Sequence, residues 1–293
     1  RSHRRHSRNM TTAEPFDRRR RRLHRDRAVA KFGAHRFLRD HMVEELLARL
    51  ATVNRSFDRA LDLGAADGSL GTKLPVNQVI FADAGFGFAS ALHGVQCDED
   101  RLPFADASFD LVVSAGVLHL VNDLPGALAL IRRILKPDGL FLAAFPGGQS
   151  LGRLRSAMIA GDIAATGGAS PRIAPMVDVR AAGDLLSRTG FALPVIDSEA
   201  VTVRYDGLLP LLRDIRGAGE SGILSSHSSF TPQGLAAAAA AFSEDADAGG
   251  RVTETIEIIH LTAWAPAPGQ PRPLRPGTGK VSLTRVLGKR EDG

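Results

Sequence analysis

One cysteine, Cys97, stands in 293 residues. A lone thiol excludes an internal disulfide framework and fits a reducing compartment, a bacterial cytoplasm first and a mitochondrial matrix as the alternative. We read Cys97 itself as a small apolar residue of a strand. Long apolar runs are also missing: no window holds eighteen uncharged apolar residues, and the alanines at 236–241 are too few and too weakly hydrophobic to cross a bilayer. The chain therefore reads as a soluble protein. Acids are scarce at the N-terminus, where residues 1–27 hold eleven arginines against Glu14, Asp17 and Asp26. The remainder, with 26 basic and 29 acidic residues, is close to neutral, so the net charge of +5 belongs to this arm. A charge run of that kind reads as solvated and flexible. No aromatic side chains interleave with it, which argues against nucleic acid and leaves an acidic protein surface as the better partner. Residues 1–9, which precede Met10 and contain no acid, fit either a presequence remnant or an upstream extension.

What is present suits one large core, since 44% of the residues are hydrophobic. Apolar residues at Val29, Phe32, Leu38, Met42, Leu46 and Leu50 predict an amphipathic helix over 28–50. Strands are expected near 58–63, 78–83, 94–97, 109–114 and 139–145, separated by helical segments, the clearest at 124–135 before Lys136-Pro137-Asp138-Gly139. Further on, the pattern predicts helices near 151–165, 178–189, 207–216 and 231–242 and strands near 193–204 and 252–264. The fold class is α/β, doubly wound, with a core domain at 28–265, an insertion at 147–176 over the strand ends, and a proline- and glycine-rich tail at 266–293. Oligomeric state leaves no trace in the sequence.

The chemistry sits at three strand ends. Ala60-Leu61-Asp62-Leu63-Gly64-Ala65-Ala66-Asp67-Gly68 reads as a buried strand entering a glycine-containing turn, where the backbone can approach a ligand closely. A turn without a ligand looks similar. Nineteen residues after Gly64, however, Val79-Ile80-Phe81-Ala82 ends in Asp83, where a carboxylate can accept both ribose hydroxyls of an adenosine. Asp98-Glu99 ends a third strand and brings acid near an adenine amino group. A dinucleotide site needs Gly-x-Gly-x-x-Gly, but Ala66 stands between Gly64 and Gly68, which favours S-adenosylmethionine (SAM) over NAD.

These residues resemble the successive motifs of class I methyltransferases: Asp62-Leu63-Gly64 with Gly68, Asp83, Asp98 before Leu102-Pro103-Phe104, Ser108-Phe109-Asp110-Leu111-Val112, and Leu135-Lys136-Pro137-Asp138-Gly139. The resemblance spans 58–145. It implies a Rossmann-like, mostly parallel sheet of seven strands with an N-terminal helix. It places Asp62, Gly64, Ala66 and Gly68 around the methionine part of SAM, Asp83 on the ribose, Asp98 and Glu99 on the adenine, and Ser114 at the pocket floor. A narrower resemblance runs from Phe16-Asp17-Arg18 through Leu118-His119-Leu120-Val121-Asn122-Asp123-Leu124-Pro125 and Gly217-Ala218-Gly219-Glu220-Ser221 to Arg272-Pro273-Leu274-Arg275-Pro276-Gly277. It is similar to the group of the mitochondrial complex I assembly factor, whose mitochondrial member hydroxylates a protein arginine; the malonyl-carrier-protein methyltransferase of biotin synthesis is a more distant cousin. Leu120 stands where that group carries tryptophan.

His119 follows the fourth strand and is the first candidate for positioning the acceptor or removing its proton; a hydrogen-bonded packing role is the competing reading. Tyr205, the only tyrosine, ends the sixth strand and is either an acceptor-pocket residue or a buried ring with a bonded hydroxyl. Asp123 reads better as a helix cap than as a site residue. No metal site emerges from the nine histidines. Three functions fit: a SAM-dependent methyltransferase acting on a protein acceptor, a hydroxylase of a protein arginine on the same fold, and a non-catalytic assembly module.

Overall fold

Strands buried on both faces read as near-continuous apolar runs, and the runs of this sequence form strands. The computed structural model describes residues 14–226 and 229–271. Its strands are β1 (Arg59–Leu63), β2 (Gln78–Asp83), β3 (Val95–Gln96), β4 (Phe109–Ala115), β5 (Leu135–Pro146), β6 (Ala192–Tyr205) and β7 (Val252–Trp264). They make one sheet in the order β3-β2-β1-β4-β5-β7-β6. The first five are parallel, while β7 is antiparallel to β5 and β6. The order reverses between β1 and β4, the place in an open α/β sheet where a crevice forms at the carboxyl ends.

The helices are α1 (Arg18–Ala28), α2 (Phe37–Ala51), α3 (Phe86–Ala91), α4 (Leu124–Ile134), α5 (Gly152–Thr166), α6 (Val179–Arg188), α7 (Leu208–Gly217) and α8 (Pro232–Ser243). Alternate strand residues feed two cores. Leu61, Leu63, Val112 and Phe141 meet Leu128 and Ile131 of α4 and Leu186 of α6. Ala60, Leu111, Val113 and Leu142 meet Met42, Val43, Leu46 and Leu50 of α2. A one-residue slip would exchange the two sets, so register is fixed by packing on both faces. Asp123 caps α4, accepting from the Gly126 amide at 2.8 Å. Cys97 is buried in the first core, and burial with Glu99, Asp98 and Asp83 nearby pushes its thiol up to about 12.

Two segments differ from the sequence reading. The helix expected over 28–50 is interrupted: a 3₁₀ turn, Phe32–Ala34, precedes α2, and Phe32 packs edge-on against Phe88 at 5.1 Å between ring centroids. The six-residue step from Phe32 to Leu38 does not fit a period of 3.6, so one continuous helix cannot bury both. The basic arm is also not all arm, because Arg18–Ala28 is helical and its buried residues are Arg21, Arg25 and Ala28. Hydrophobic periodicity misses a helix whose inward face is arginine. Residues 1–13 of the arm and 272–293 of the tail, with the Arg272–Gly277 match, lie outside the described residues.

Within 147–176, α5 lies against α8, with Leu154, Ala157 and Met158 packed on Ala238 and Phe242. A Cβ at Gly161 would stand 2.5 Å from the Gly234 carbonyl, so the crossing needs a residue without a side chain. Among the described residues no helix is long and apolar enough to cross a membrane.

Candidate functional site

Parallel pairing brings the ends of β1, β2 and β4 to one edge. After β1 the chain turns through Gly64 at φ 75°, Ala66 at φ 48° and Gly68 at φ 74°. Left-handed backbone is costly for any residue with a Cβ, and at Gly64 a Cβ would also fall 2.3 Å from Val117 Cγ2. The turn is held against β2, since Gly64 and Ala65 both donate to the Ala82 carbonyl at 2.8 and 3.0 Å. Ala66 therefore occupies the left-handed position itself, its amide donating to Asp83 Oδ2 at 3.0 Å.

Asp62 lies beneath this turn, fully buried; Oδ2 accepts from the Gly71 amide at 2.9 Å and Oδ1 has no partner. Burial raises its pKa to about 6, against the pull of Arg39 and the Gly71 amide. Ser114 is buried on β4 and donates to the Leu63 carbonyl at 2.8 Å, tying β4 to β1. It does not line the cavity described below.

The strand-end acids are paired with α1. Arg18, Arg21, Arg22 and Arg25 recur at spacings of three and four, which puts them on one face of a helix. Arg25 grips Asp83 at 2.7 and 2.5 Å, and Arg21 grips Glu99 at 2.6 and 2.7 Å. Arg22 reaches Asp98 at 3.2 and 2.5 Å and Arg18 reaches Asp100 at 2.5 and 2.7 Å. Each contact is the two-pronged fork that guanidinium makes with carboxylate. Burial opposes the charge on Asp83, but Arg25 with the Gly85 and Ala66 amides overcomes it and holds the carboxyl below the usual range. The helix is fixed at its start as well: the Asn122 side chain accepts from the Phe16 amide at 2.8 Å and donates to its carbonyl at 3.0 Å, and Phe16 bridges Leu224.

Beside Arg25, the partner of Asp83, opens a cavity lined also by Ala66, Gly116, Val117, Ser150, Leu151 and Met176. His119 and Tyr205 both line it, so the structure brings the two sequence candidates into one space. His119 Nε2 lies 3.5 Å from Glu220 Oε2, and its Nδ1 has no partner. Burial, and next the negative charge of Asp214, raise the pKa of Tyr205. Asp214 also accepts from or shares a proton with His35 Nδ1 at 2.8 Å.

Arg39, His35, Asp214 and Glu220 line the cavity without having been singled out in the sequence. A signal existed for two of them. Arg39 falls in register with Met42, Val43, Leu46 and Leu50, and Asp214 three residues after the buried Leu211. A charged residue on the apolar stripe of a helix is a candidate for function.

A seven-stranded sheet of this order, with a left-handed turn after β1 and acids after β2 and β3, defines the class I methyltransferase architecture. Residues 61–143 match the family model described as a methyltransferase domain. The YcgJ protein of Bacillus subtilis has the same fold, with a TM-score of 0.55 and 17% identity over 76% of this chain and 99% of that one. Over 287 residues the chain is 32% identical to the mitochondrial arginine-hydroxylase NDUFAF5 of Danio rerio, covering 92% of this chain and 88% of that protein. It is 30% identical over 262 residues to a malonyl-[acyl-carrier protein] O-methyltransferase of Methylovorus, covering 82% and 86%. The chain belongs to the class I SAM-dependent methyltransferase family, in the group that includes these NDUFAF5 relatives. Its cofactor is S-adenosylmethionine. The residues fit that group in kind: the orphaned Asp62 Oδ1, the left-handed turn and the strand-end carboxylates offer donors and acceptors to an amino-acid nucleoside, while Arg25 and Arg21 hold Asp83 and Glu99.

Proposed function

We propose that the chain methylates a side chain of a protein acceptor, with SAM seated on the turn at Gly64–Gly68 and its acceptor in the adjoining cavity. The observation that carries this reading is the convergence of His119, Tyr205, Asp214 and Glu220 on one cavity beside Arg25, the partner of Asp83. In this reading Asp83 takes the ribose, Asp98 and Glu99 flank the adenine, and Asp62, Gly64, Ala66 and Gly68 frame the methionine end. Ser114 holds β4 against β1 beneath them.

When bound, SAM supplies an electrophilic methyl group on a sulfonium whose leaving group is a neutral thioether. What remains for the protein is placement and exclusion of water, together with an outlet for the acceptor's proton. His119, with Nδ1 unpartnered and Glu220 beside Nε2, receives that proton. Tyr205, which shares the cavity wall with Asp214, orients the acceptor. The wall carries both signs of charge, Asp214 and Glu220 together with Arg25, Arg36 and Arg39. Arg19 and Arg27, which stay exposed on α1, suit an acidic surface on the acceptor protein. We place the activity in the bacterial cytoplasm, with the mitochondrial matrix as the alternative, the NDUFAF5 relatives being named as mitochondrial.

A second reading is hydroxylation of a protein arginine, favoured by the names of the relatives that match most of the chain. It requires an oxidant and an electron source besides the cofactor. The discriminating experiment incubates the full chain with methyl-labelled SAM and candidate respiratory-chain subunits, followed by mass spectrometry. A labelled methyl group on the acceptor supports methyl transfer; one added oxygen with unlabelled acceptor replaces it with hydroxylation. SAM binding with neither product, and partner binding that survives Asp83→Ala, would leave an assembly module.

A further inference from the structure

Helix α7 ends in a turn that aims one side chain at His119. Gly219 donates to the Arg216 carbonyl and Glu220 to that of Ile215, both at 3.1 Å, the paired bonds of a helix closed by a left-handed glycine, here Gly219 at φ 81°. The same glycine lies directly on α1, where a Cβ would stand 3.2 Å from both Arg25 Cα and Ala28 Cβ. The residues that follow are bonded to α1 and to the segment leading into it. The Ser221 carbonyl accepts from His24 Nδ1 at 2.5 Å, and that of Leu224 from Arg20 at 2.9 Å. The Ile223 carbonyl accepts from the Asp17 amide at 2.8 Å, and the Ser225 amide donates to the Pro15 carbonyl at 2.9 Å. Glu220 is thus held between α7 and α1, and its Oε2 lies 3.5 Å from His119 Nε2.

His119 is buried, and its Nδ1 has no hydrogen-bond partner among the described residues. Two costs therefore favour one tautomer. A hydrogen on Nδ1 would be a buried donor without an acceptor, and a bare Nε2 would turn its lone pair on a carboxylate. Resting on the methyl-transfer reading, we propose that Glu220 is a positioning residue that holds His119 as the Nε2–H tautomer, which makes Nδ1 the nitrogen that takes the acceptor's proton. The methyl–sulfur bond is exchanged for one to the acceptor atom, whose own bond to hydrogen is exchanged for one to Nδ1, leaving a neutral thioether and an imidazolium. That imidazolium keeps Nε2–H facing Glu220, whose charge offsets it where little water screens the pair. Helix α1 then serves both halves of the site, since its arginines hold the strand-end acids and its other contacts hold the turn that carries Glu220. The competing role for Glu220 is that of a partly exposed carboxylate that ends α7 and leaves the His119 ring to its packing.

The test is nitrogen NMR of the His119 ring in the full chain at about pH 8, above the ordinary range of histidine, with His119→Gln to assign the signals. Wild type is expected to show Nε2 protonated and Nδ1 bare. Glu220→Leu raises the share of the Nδ1–H form about tenfold, the weight of a hydrogen bond to a charged group. Gly219→Ala, which keeps the carboxylate but crowds α1, moves the ring in the same direction, and Glu220→Asp restores part of the wild-type spectrum. A Glu220→Leu ring whose signals match wild type overturns the proposal in favour of the surface carboxylate. A wild-type ring protonated at Nδ1 overturns it with no variant needing to fold. Because the measurement does not use turnover, a methylated acceptor alongside a protonated Nδ1 overturns the role of Glu220 alone. The expected tautomer with no methyl transfer in the labelling experiment overturns instead the reading on which that role rests.

Discussion

The guanidinium of Arg25 and the carboxylate of Asp83 meet through two hydrogen bonds of 2.7 and 2.5 Å, both groups buried at the end of β2. With the amides of Ala66 and Gly85 as further donors, both Asp83 oxygens are fully engaged. A ribose diol that bonds to Asp83 must take the place of Arg25, so cofactor affinity and α1 docking oppose each other at one side chain.

Arg25→Met is therefore expected to bind SAM about tenfold more tightly while the cofactor-free protein loses about 3–5 kcal/mol, the cost of stranding a buried charge. Calorimetry and thermal melting measure the two effects separately. Weaker SAM binding in this variant would mean that Arg25 belongs to the bound site.

The turn at Gly64 allows a cleaner perturbation. Gly64→Ala combines left-handed strain, about 1–2 kcal/mol, with a clash against Val117, and is expected to lower both melting temperature and SAM affinity. Val117→Ala in the same chain removes the clash and should recover part of the melting temperature. A double variant no better than the single one would place the whole cost in the backbone.

Asp62 links stability to pH. Its folded pKa, about 6, is above the ordinary carboxylate value, so the folded protein holds this proton more tightly than the unfolded chain between about pH 4 and 6. Its contribution is present below that window and is lost as pH rises through it, by about 3 kcal/mol in all. Asp62→Asn cannot ionise and should melt higher than wild type above pH 7, with the gap narrowing toward pH 4. A gap independent of pH would show that Asp62 is already ionised in the fold.

Tyr205→Phe removes a hydroxyl while leaving the ring packed among Leu208, Leu211 and Val252. SAM affinity and melting temperature should stay near wild type while turnover of the acceptor falls about 10- to 100-fold. Asp214→Asn is expected to behave similarly, since it removes the charge that faces Tyr205 and loosens the hold on His35. Unchanged turnover in both would confine this pair to packing.

Much of the fold was legible because its strands are buried on both faces and read as unbroken apolar runs, as in Ala60–Leu63 and Val79–Ala82. Asp62, Gly64, Asp83 and Asp98 stood out for a related reason: a carboxylate or a left-handed turn at the end of such a run is costly to bury unless a ligand or a backbone amide meets it. Illegible were the contacts made by charge. Helix α1 reads as a solvated arginine run because the acids that draw it inward lie 58 to 82 residues away in sequence. Asn122 clasps Phe16, a pairing 106 residues apart that no local pattern announces. Arg39, Asp214 and Glu220 reach the cavity only once the helices that carry them are docked.

The four arginines of α1 also decide how the molecule responds to being shortened. A chain begun after Ala28 would keep Asp83, Asp98, Glu99 and Asp100 at the strand ends but lose the arginines paired with them. In the intact protein Asp83 and Asp100 are held below their usual range, so their pairing with α1 contributes stability that acid removes, and the shortened chain would lack that contribution. The N-terminal helix thus carries part of the protein's resistance to acid, and trimming it as a dispensable basic tail would remove that part.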